Sequence, residues 1–250
     1  MRNEEFLEVI KGSFLAYLGV GTSTSTAKLI GLHGAIASEL ADKFGREFQI
    51  SSKCSEDMIK ENLKNKELKV DGKYYKKAVD ITVSKDNMPV AGYAVKFVMR
   101  NYSQNSVNYF ENMLGETANL RSNAIPYFQI FIIFDKVPYY EDGGKFKKYD
   151  KVTPHNMDKY LVLSKDEPNV FYHAPDKMLI ILLKLKEKEP DYQFRDKNDY
   201  ADYYKSVIDD EDLIKYADNA VDTFGDSVIF NDYEDFINRT YHIVMGKLKK

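Results

Sequence analysis

The stretch KKAVDITVSKDNMPVAGYAVKFVMRNYSQN, residues 76–105, decides the reading of this chain. Two short apolar runs inside it, AVDITV and YAVKFV, have the residue types of strands. Each carries one charge where a strand would bury it, Asp80 in the first and Lys96 in the second. KDNMP between them supplies a turn, so the two runs read as neighbours in one sheet. An isolated buried ion is costly, and two of opposite sign on adjoining strands ask for a shared explanation.

Working outward, VDGKYY places a tight turn at Asp71-Gly72. It predicts a hairpin entering a strand over about 74–84, followed by a strand over about 90–99. Upstream, Phe6, Leu7, Val9, Ile10, Phe14 and Leu18 recur at helical spacing over 3–18. GVGTSTST (19–26) reads as a loop, with Ser25 or Thr26 placed to cap a second helix that ends at Gly45. It lacks the Gly-Lys-Ser/Thr ending of a phosphate loop. FQISS is then a short strand and 55–67 a polar helix. Downstream, Tyr109, Phe110, Met113, Leu114, Thr117 and Leu120 form one stripe of a helix over 103–121. IPYFQIFIIF (125–134) is continuously apolar, as a strand buried on both faces is.

Beyond 135 the reading is a Gly-Gly hairpin over 139–151, short strands at KYLVLS and NVFYHA, and a helix opened by Pro175 through DKMLIILLKLKEK. DDEDLIK reads as an acidic helix start, and a last helix runs over about 230–247. No repeat or linker interrupts the chain, which gives one α/β domain over 1–250. Its core spans about 30–135, and an α+β extension over about 136–250 is a candidate for recognition or dimerisation.

The net charge of −3 provides no global basic field, so any polyanion would be held by a local patch. The single Cys54 excludes an internal disulfide and a cysteine-built zinc site. The four histidines, at 33, 155, 173 and 242, show no tight ligand spacing, which speaks against a structural metal. MRNEEFLEVI is acidic and amphipathic, unlike a secretory leader. The longest apolar runs are too short to span a bilayer. The expectation is a cytoplasmic protein with no membrane partner.

A carboxylate and a lysine on adjoining strands form the minimal kit for metal-assisted phosphodiester hydrolysis. The carboxylate holds Mg²⁺ through hard oxygen, the ion acidifies a water, and the lysine steadies that water or the developing charge. The plain alternative is an ion pair, or two strands that face solvent.

With GYAVKFVMRNYSQNSVNYFENMLGETANLR following Asp80, the order α-β-β-β-α-β over roughly 30–135 resembles the core of the PD-(D/E)XK nucleases, and type II restriction endonucleases in particular. The resemblance implies a restriction-endonuclease-like central mixed sheet flanked by helices. It also implies Mg²⁺-dependent cleavage of double-stranded DNA at a specific sequence, by a homodimer. Asp80 and the Val95 carbonyl would be metal ligands, and Lys96 would assist the attacking water. Two departures stand out: Val79 precedes Asp80 in place of proline, and Ala94 stands where the second acid belongs. In a subgroup of these enzymes the next helix supplies that acid. The candidates are Glu111, which spacing favours, and Glu116, about 140° away around the helix. Glu39 of the preceding helix is a further carboxylate that the resemblance points to. Arg100, Asn101, Gln104 and Asn105, with Lys76 and Lys77, are the expected DNA contacts, carrying donors suited to phosphates and base edges. A repair, phage or nicking nuclease, or a DNA-binding relative without catalysis, fits the same residues.

Overall fold

A computed structural model describes residues 1–20, 26–190, 192–217 and 223–249. Helices α1 (Asn3–Val20) and α2 (Ile30–Phe44, entered through a 3₁₀ turn at Thr26–Leu29) precede six strands. These are β1 (Phe48–Ser52), β2 (Leu63–Asn65), β3 (Leu68–Asp71), β4 (Lys76–Val79), β5 (Ile81–Lys85) and β6 (Met88–Val98). Then come α3 (Tyr102–Arg121), β7 (Tyr127–Phe134), β8 (Lys136–Tyr140), β9 (Phe146–Lys151) and α4 (Pro154–Leu163). The chain continues through β10 (Lys177–Leu185), α5 (Lys197–Ser206), β11 (Ile214–Tyr216), β12 (Val228–Phe230) and α6 (Tyr233–Leu248). Of the proposed caps, Ser25 lies outside the described residues, and Thr26 opens the 3₁₀ turn that leads into α2.

The centre is a mixed sheet in the order β11-β10-β7-β6-β5-β1-β2, with β12 also pairing β10. β1, β5 and β6 run antiparallel to their neighbours in turn, whereas β6, β7 and β10 are mutually parallel. All eight residues of β7 are buried, as its unbroken apolar run requires of a strand covered on both faces. Tyr93 and Phe128 turn to one face and meet Phe236 of α6, while Phe14 of α1 meets Phe134. On the opposite face Phe131 packs against Tyr160 of α4 and Tyr102 of α3. Helices therefore flank both sides. β3–β4 and β8–β9 are separate two-stranded hairpins.

The β5–β6 turn follows from its residues. Lys85 pairs with Met88, and the two residues between them, Asp86 and Asn87, have φ of 50° and 63°. That is the two-residue hairpin loop with both central residues left-handed, which Asp and Asn tolerate best among residues with a Cβ.

Several expected elements differ. DKMLIILLKLKEK is not a helix but β10, parallel to β7. A short apolar run fits a buried strand or a buried helix equally well by periodicity, and here an open edge of the sheet decides. KYLVLS is not a strand: it lies in α4, which starts with Thr153 and Asn156 in a capping box and Pro154 in the first turn. Met157, Tyr160 and Leu163 are that helix's buried stripe. The segment 55–67 forms only a 3₁₀ turn and then β2, because Leu63 pairs beside Ile50 while Ile59 faces solvent and leaves no apolar helical stripe. NVFYHA is a turn with Val170, Phe171 and Tyr172 exposed. DDEDLIK passes through a turn into β11 rather than opening a helix. β10, β11 and β12, all from beyond residue 136, extend the central sheet.

One buried ion pair ties these layers together. Arg121 at the end of α3 and Asp176 before β10 each expose 5% of their side chain and meet at 2.8 Å. The guanidinium also donates to the carbonyls of Pro168, Phe171 and Ala174, and Asp176 accepts from Tyr127 N–H and Lys247. Breaking one partner of such a pair leaves a buried charge uncompensated. Asp176→Ala is expected to destabilise the fold by about 3–5 kcal/mol, whereas Lys76→Ala, which breaks an exposed pair with Asp71, should change stability by less than about 1 kcal/mol. Denaturant midpoints of the two variants against the parent check this contrast.

Candidate active site

Asp80 does not lie inside a strand. It is the bend at which the chain leaves the β3–β4 hairpin and enters β5 of the main sheet. Two bonds fix it there: its carbonyl accepts from Ser52 Oγ at 2.8 Å, and its Oδ2 accepts from the Val95 N–H of β6 at 2.8 Å. The carboxylate is thus held against the strand that carries Lys96.

Parallel pairing places Ala94 beside Gln129 and Lys96 beside Phe131, so these four share the face under α3 and α4. Between sheet and helices lies a cleft of about 290 Å³ whose lining includes Asp80, Lys96, Tyr109, Glu116 and Gln129. Lys96 Nζ sits 4.4 Å from the Tyr109 ring centroid, within cation–π range. Although Lys96 is exposed as a residue, its surroundings lower its pKa: burial of the ammonium outweighs the opposing pull of Asp80 and Glu116. Gln129 is buried and donates from Nε2 to Thr117 Oγ1 at 3.2 Å, which pins α3 to β7 beside the cleft.

The two candidate acids of α3 separate clearly. Glu116 is half-buried, lines the cleft and is ion-paired with Lys77, which also lines it. Glu111 is exposed and is not part of the lining. Val95 lines the cleft. Glu39 points elsewhere, pairing with the N-terminal ammonium at 2.7 Å.

Of the residues expected to meet DNA, Arg100 is half-buried and bears electrostatically on Lys28 and Tyr109. Asn101 has φ of 50°, and its side chain is engaged with Tyr140, donating to the carbonyl at 3.1 Å and accepting from the N–H at 2.9 Å. Asn105 donates to the Asn101 carbonyl. Both therefore hold the start of α3. Gln104 is exposed, and so is Lys76, which pairs with Asp71.

Sequence reading missed three contributors. Lys28 is buried and pushed down to about 8, first by burial and then by the neighbouring charges of Lys96 and Arg100. The other two are His33 of α2 and Glu67. One ring nitrogen of His33 and one carboxylate oxygen each of Glu67 and Asp80 lie within 4.8 Å of one another. Burial lowers the His33 pKa, opposed by the charges of Asp80 and Glu67. His33 sits in the buried stripe of α2 and reads in sequence as core. A larger hollow of about 610 Å³ between Lys136 and Lys184–Pro190 has a rim of lysines and glutamates that includes the Lys136–Glu187 pair.

Comparison with protein-family models, with curated proteins and with solved structures finds no match to this chain.

The Lys28 shift has a definite pH signature. Its folded pKa of about 8 lies below the ordinary 10.5, so between these values the unfolded chain binds the proton and the folded chain does not. Stability therefore rises with pH across that window. Thermal melts from pH 7 to 10.5 should show Lys28→Met more stable than the parent at pH 7, with the difference shrinking as pH rises. A difference independent of pH would refute the depressed value.

Proposed function

We propose that this protein is a divalent-metal-dependent endonuclease of the restriction type, acting on double-stranded DNA. The observation that carries the reading is the convergence of Asp80, Lys96 and Glu116, from three different elements, on one cleft. The succession α2, β1, β5, β6, α3, β7 around the main sheet is in keeping with the α-β-β-β-α-β order that the resemblance implies. The missing acid at Ala94 has a counterpart in Glu116, and the sheet position two before Lys96 is neighboured by Gln129 rather than by a carboxylate.

The donor set suits Mg²⁺: Asp80 and Glu116 offer the hard oxygens it prefers, with the Val95 carbonyl as a third. Bound there, the ion supplies an acidified water and neutralises charge on the phosphate. The remaining work falls to the chain's own groups. Val95 N–H fixes the Asp80 carboxylate. Lys96, held over Tyr109, donates to the attacking water or to the phosphate. Lys28 and Arg100 concentrate positive charge for the backbone, and Lys77 keeps Glu116 neutralised within the cleft. Arg100, Gln104, Lys76 and Lys77 are the DNA contacts of this reading, with Asn101 and Asn105 positioning α3. Two copies would cut the two strands of a symmetric site.

Incubating plasmid DNA in Mg²⁺ is expected to give discrete fragments. Asp80→Ala, Lys96→Ala and Glu116→Gln should each lose about 100-fold or more of this cutting, while Glu111→Gln retains it. Duplex binding in Ca²⁺ without cleavage in Mg²⁺ would place the chain among DNA-binding relatives that lost the chemistry, which Ala94 motivates. Neither binding nor cutting sinks the reading.

A further inference from the structure

We propose that His33, Glu67 and Asp80 form a binding site for a divalent transition-metal ion, on the α2 side of Asp80. The geometry carries it. One ligand atom from each residue lies within 4.8 Å of the other two, close enough for one ion to draw the three together. His33 is 5% exposed, and its Nε2 is buried with no hydrogen-bond partner. A buried imidazole nitrogen without a partner carries a desolvation cost that a ligand would remove.

The three residues reach this point from separate parts of the chain. His33 lies on α2, directly before Gly34, where any Cβ would come within 2.8 Å of Cys54. That close approach seats α2 against the loop after β1. Glu67 lies between β2 and β3, and Asp80 at the switch between sheets. Asp80 is already oriented by Val95 N–H, and a carboxylate with one oxygen so engaged keeps lone pairs for an ion. Glu67 is paired with Lys53 at 3.5 Å, and Lys53 has 46% of its side chain exposed, so the ammonium can swing to solvent when a cation arrives.

The donor set defines the class of ion. Two carboxylates alone would suit Mg²⁺ or Ca²⁺. An imidazole nitrogen shifts preference toward Mn²⁺, Fe²⁺, Co²⁺ or Zn²⁺. Cys54 is buried and free, but its thiol is not among the clustered ligand atoms, so the set is nitrogen and oxygen. This site shares Asp80 with the nuclease reading but does not rest on it, since it concerns binding of an ion and not cleavage.

The test uses the full chain, stripped of metal by chelator and titrated with Mn²⁺, with free Mn²⁺ read by its electron paramagnetic resonance signal. Bound Mn²⁺ should show a coupling to an imidazole ¹⁴N in electron spin-echo spectra. His33→Gln should abolish that coupling, and Glu67→Gln should weaken binding at the coupled site by about tenfold or more. Glu61→Gln, an exposed carboxylate paired with Arg46, should change neither. Circular dichroism establishes that each variant is folded, and if His33→Gln is not, the coupling in the parent and its loss of affinity in Glu67→Gln decide alone. Bound Mn²⁺ without a nitrogen coupling, or no Mn²⁺ binding, overturns the proposal. Either result leaves the DNA-cutting assay to be judged separately.

Discussion

The hydrogen bond from Val95 N–H to Asp80 Oδ2 is the constraint on which the candidate site depends. At residue 80 the chain changes sheets, leaving the β3–β4 hairpin for the central sheet. A carboxylate at such a bend has no ladder partner of its own, and the side chain takes that role by accepting from β6. The bond sets the distance between the strand that carries Lys96 and the end of the hairpin. It also explains how the chain tolerates an acid inside an apolar run: the acid is half-buried at a junction, not enclosed within a strand.

The same bend is where opposite electrostatic demands meet. On the α3 side, Lys96 and Lys77 line one cleft with Asp80 and Glu116, and the charges of Lys96 and Arg100 bear on Lys28. On the α2 side, Asp80 faces His33 and Glu67. Burial lowers the pKa of Lys28, Lys96 and His33. Desolvation is the first cause in all three, so this corner of the fold favours the neutral forms of its basic groups.

How much of this was legible in the sequence differs by level. The middle of the sheet was legible because its signals are local: alternation in β5, the two-residue Asp86-Asn87 turn, the stripe of α3 and the unbroken run of β7. The outer strands were not. β10 reads as a helix until the parallel edge of β7 is known, and α4 reads as a strand unless the Thr153–Asn156 cap is weighed above the apolar YLVL. In the site, Asp80 and Lys96 could be named because each is a charge inside an apolar run, whereas Glu111 and Glu116 came forward only through the resemblance. Spacing along α3 favoured Glu111, but the helix is rotated so that Met113 and Thr117 are buried and Glu116 faces inward beside them. His33 and Glu67 are adjacent only in space, and no spacing rule could pair them.

The placement of Glu116 is overdetermined, and this bears on how rigid the cleft is. α3 is tied at its start by Asn101 to Tyr140 and by Ser103 to Asp150, and at its end by Arg121 to Asp176. Near the end, Asn119 clasps the β3–β4 turn. Its Oδ1 accepts from Tyr74 N–H, its Nδ2 donates to the Tyr75 carbonyl, and its own carbonyl accepts from Lys73 N–H. Gly72 makes room for this clasp, since a Cβ there would fall 2.1 Å from the Asn119 amide. The hairpin so gripped ends at Asp80. Helix and carboxylate are therefore positioned by one another, and Glu116, a single turn before Asn119, cannot shift relative to Asp80 without breaking the clasp. A site whose acidic groups come from a helix and a bend, rather than from one strand, needs such a brace, because backbone pairing alone does not fix their separation.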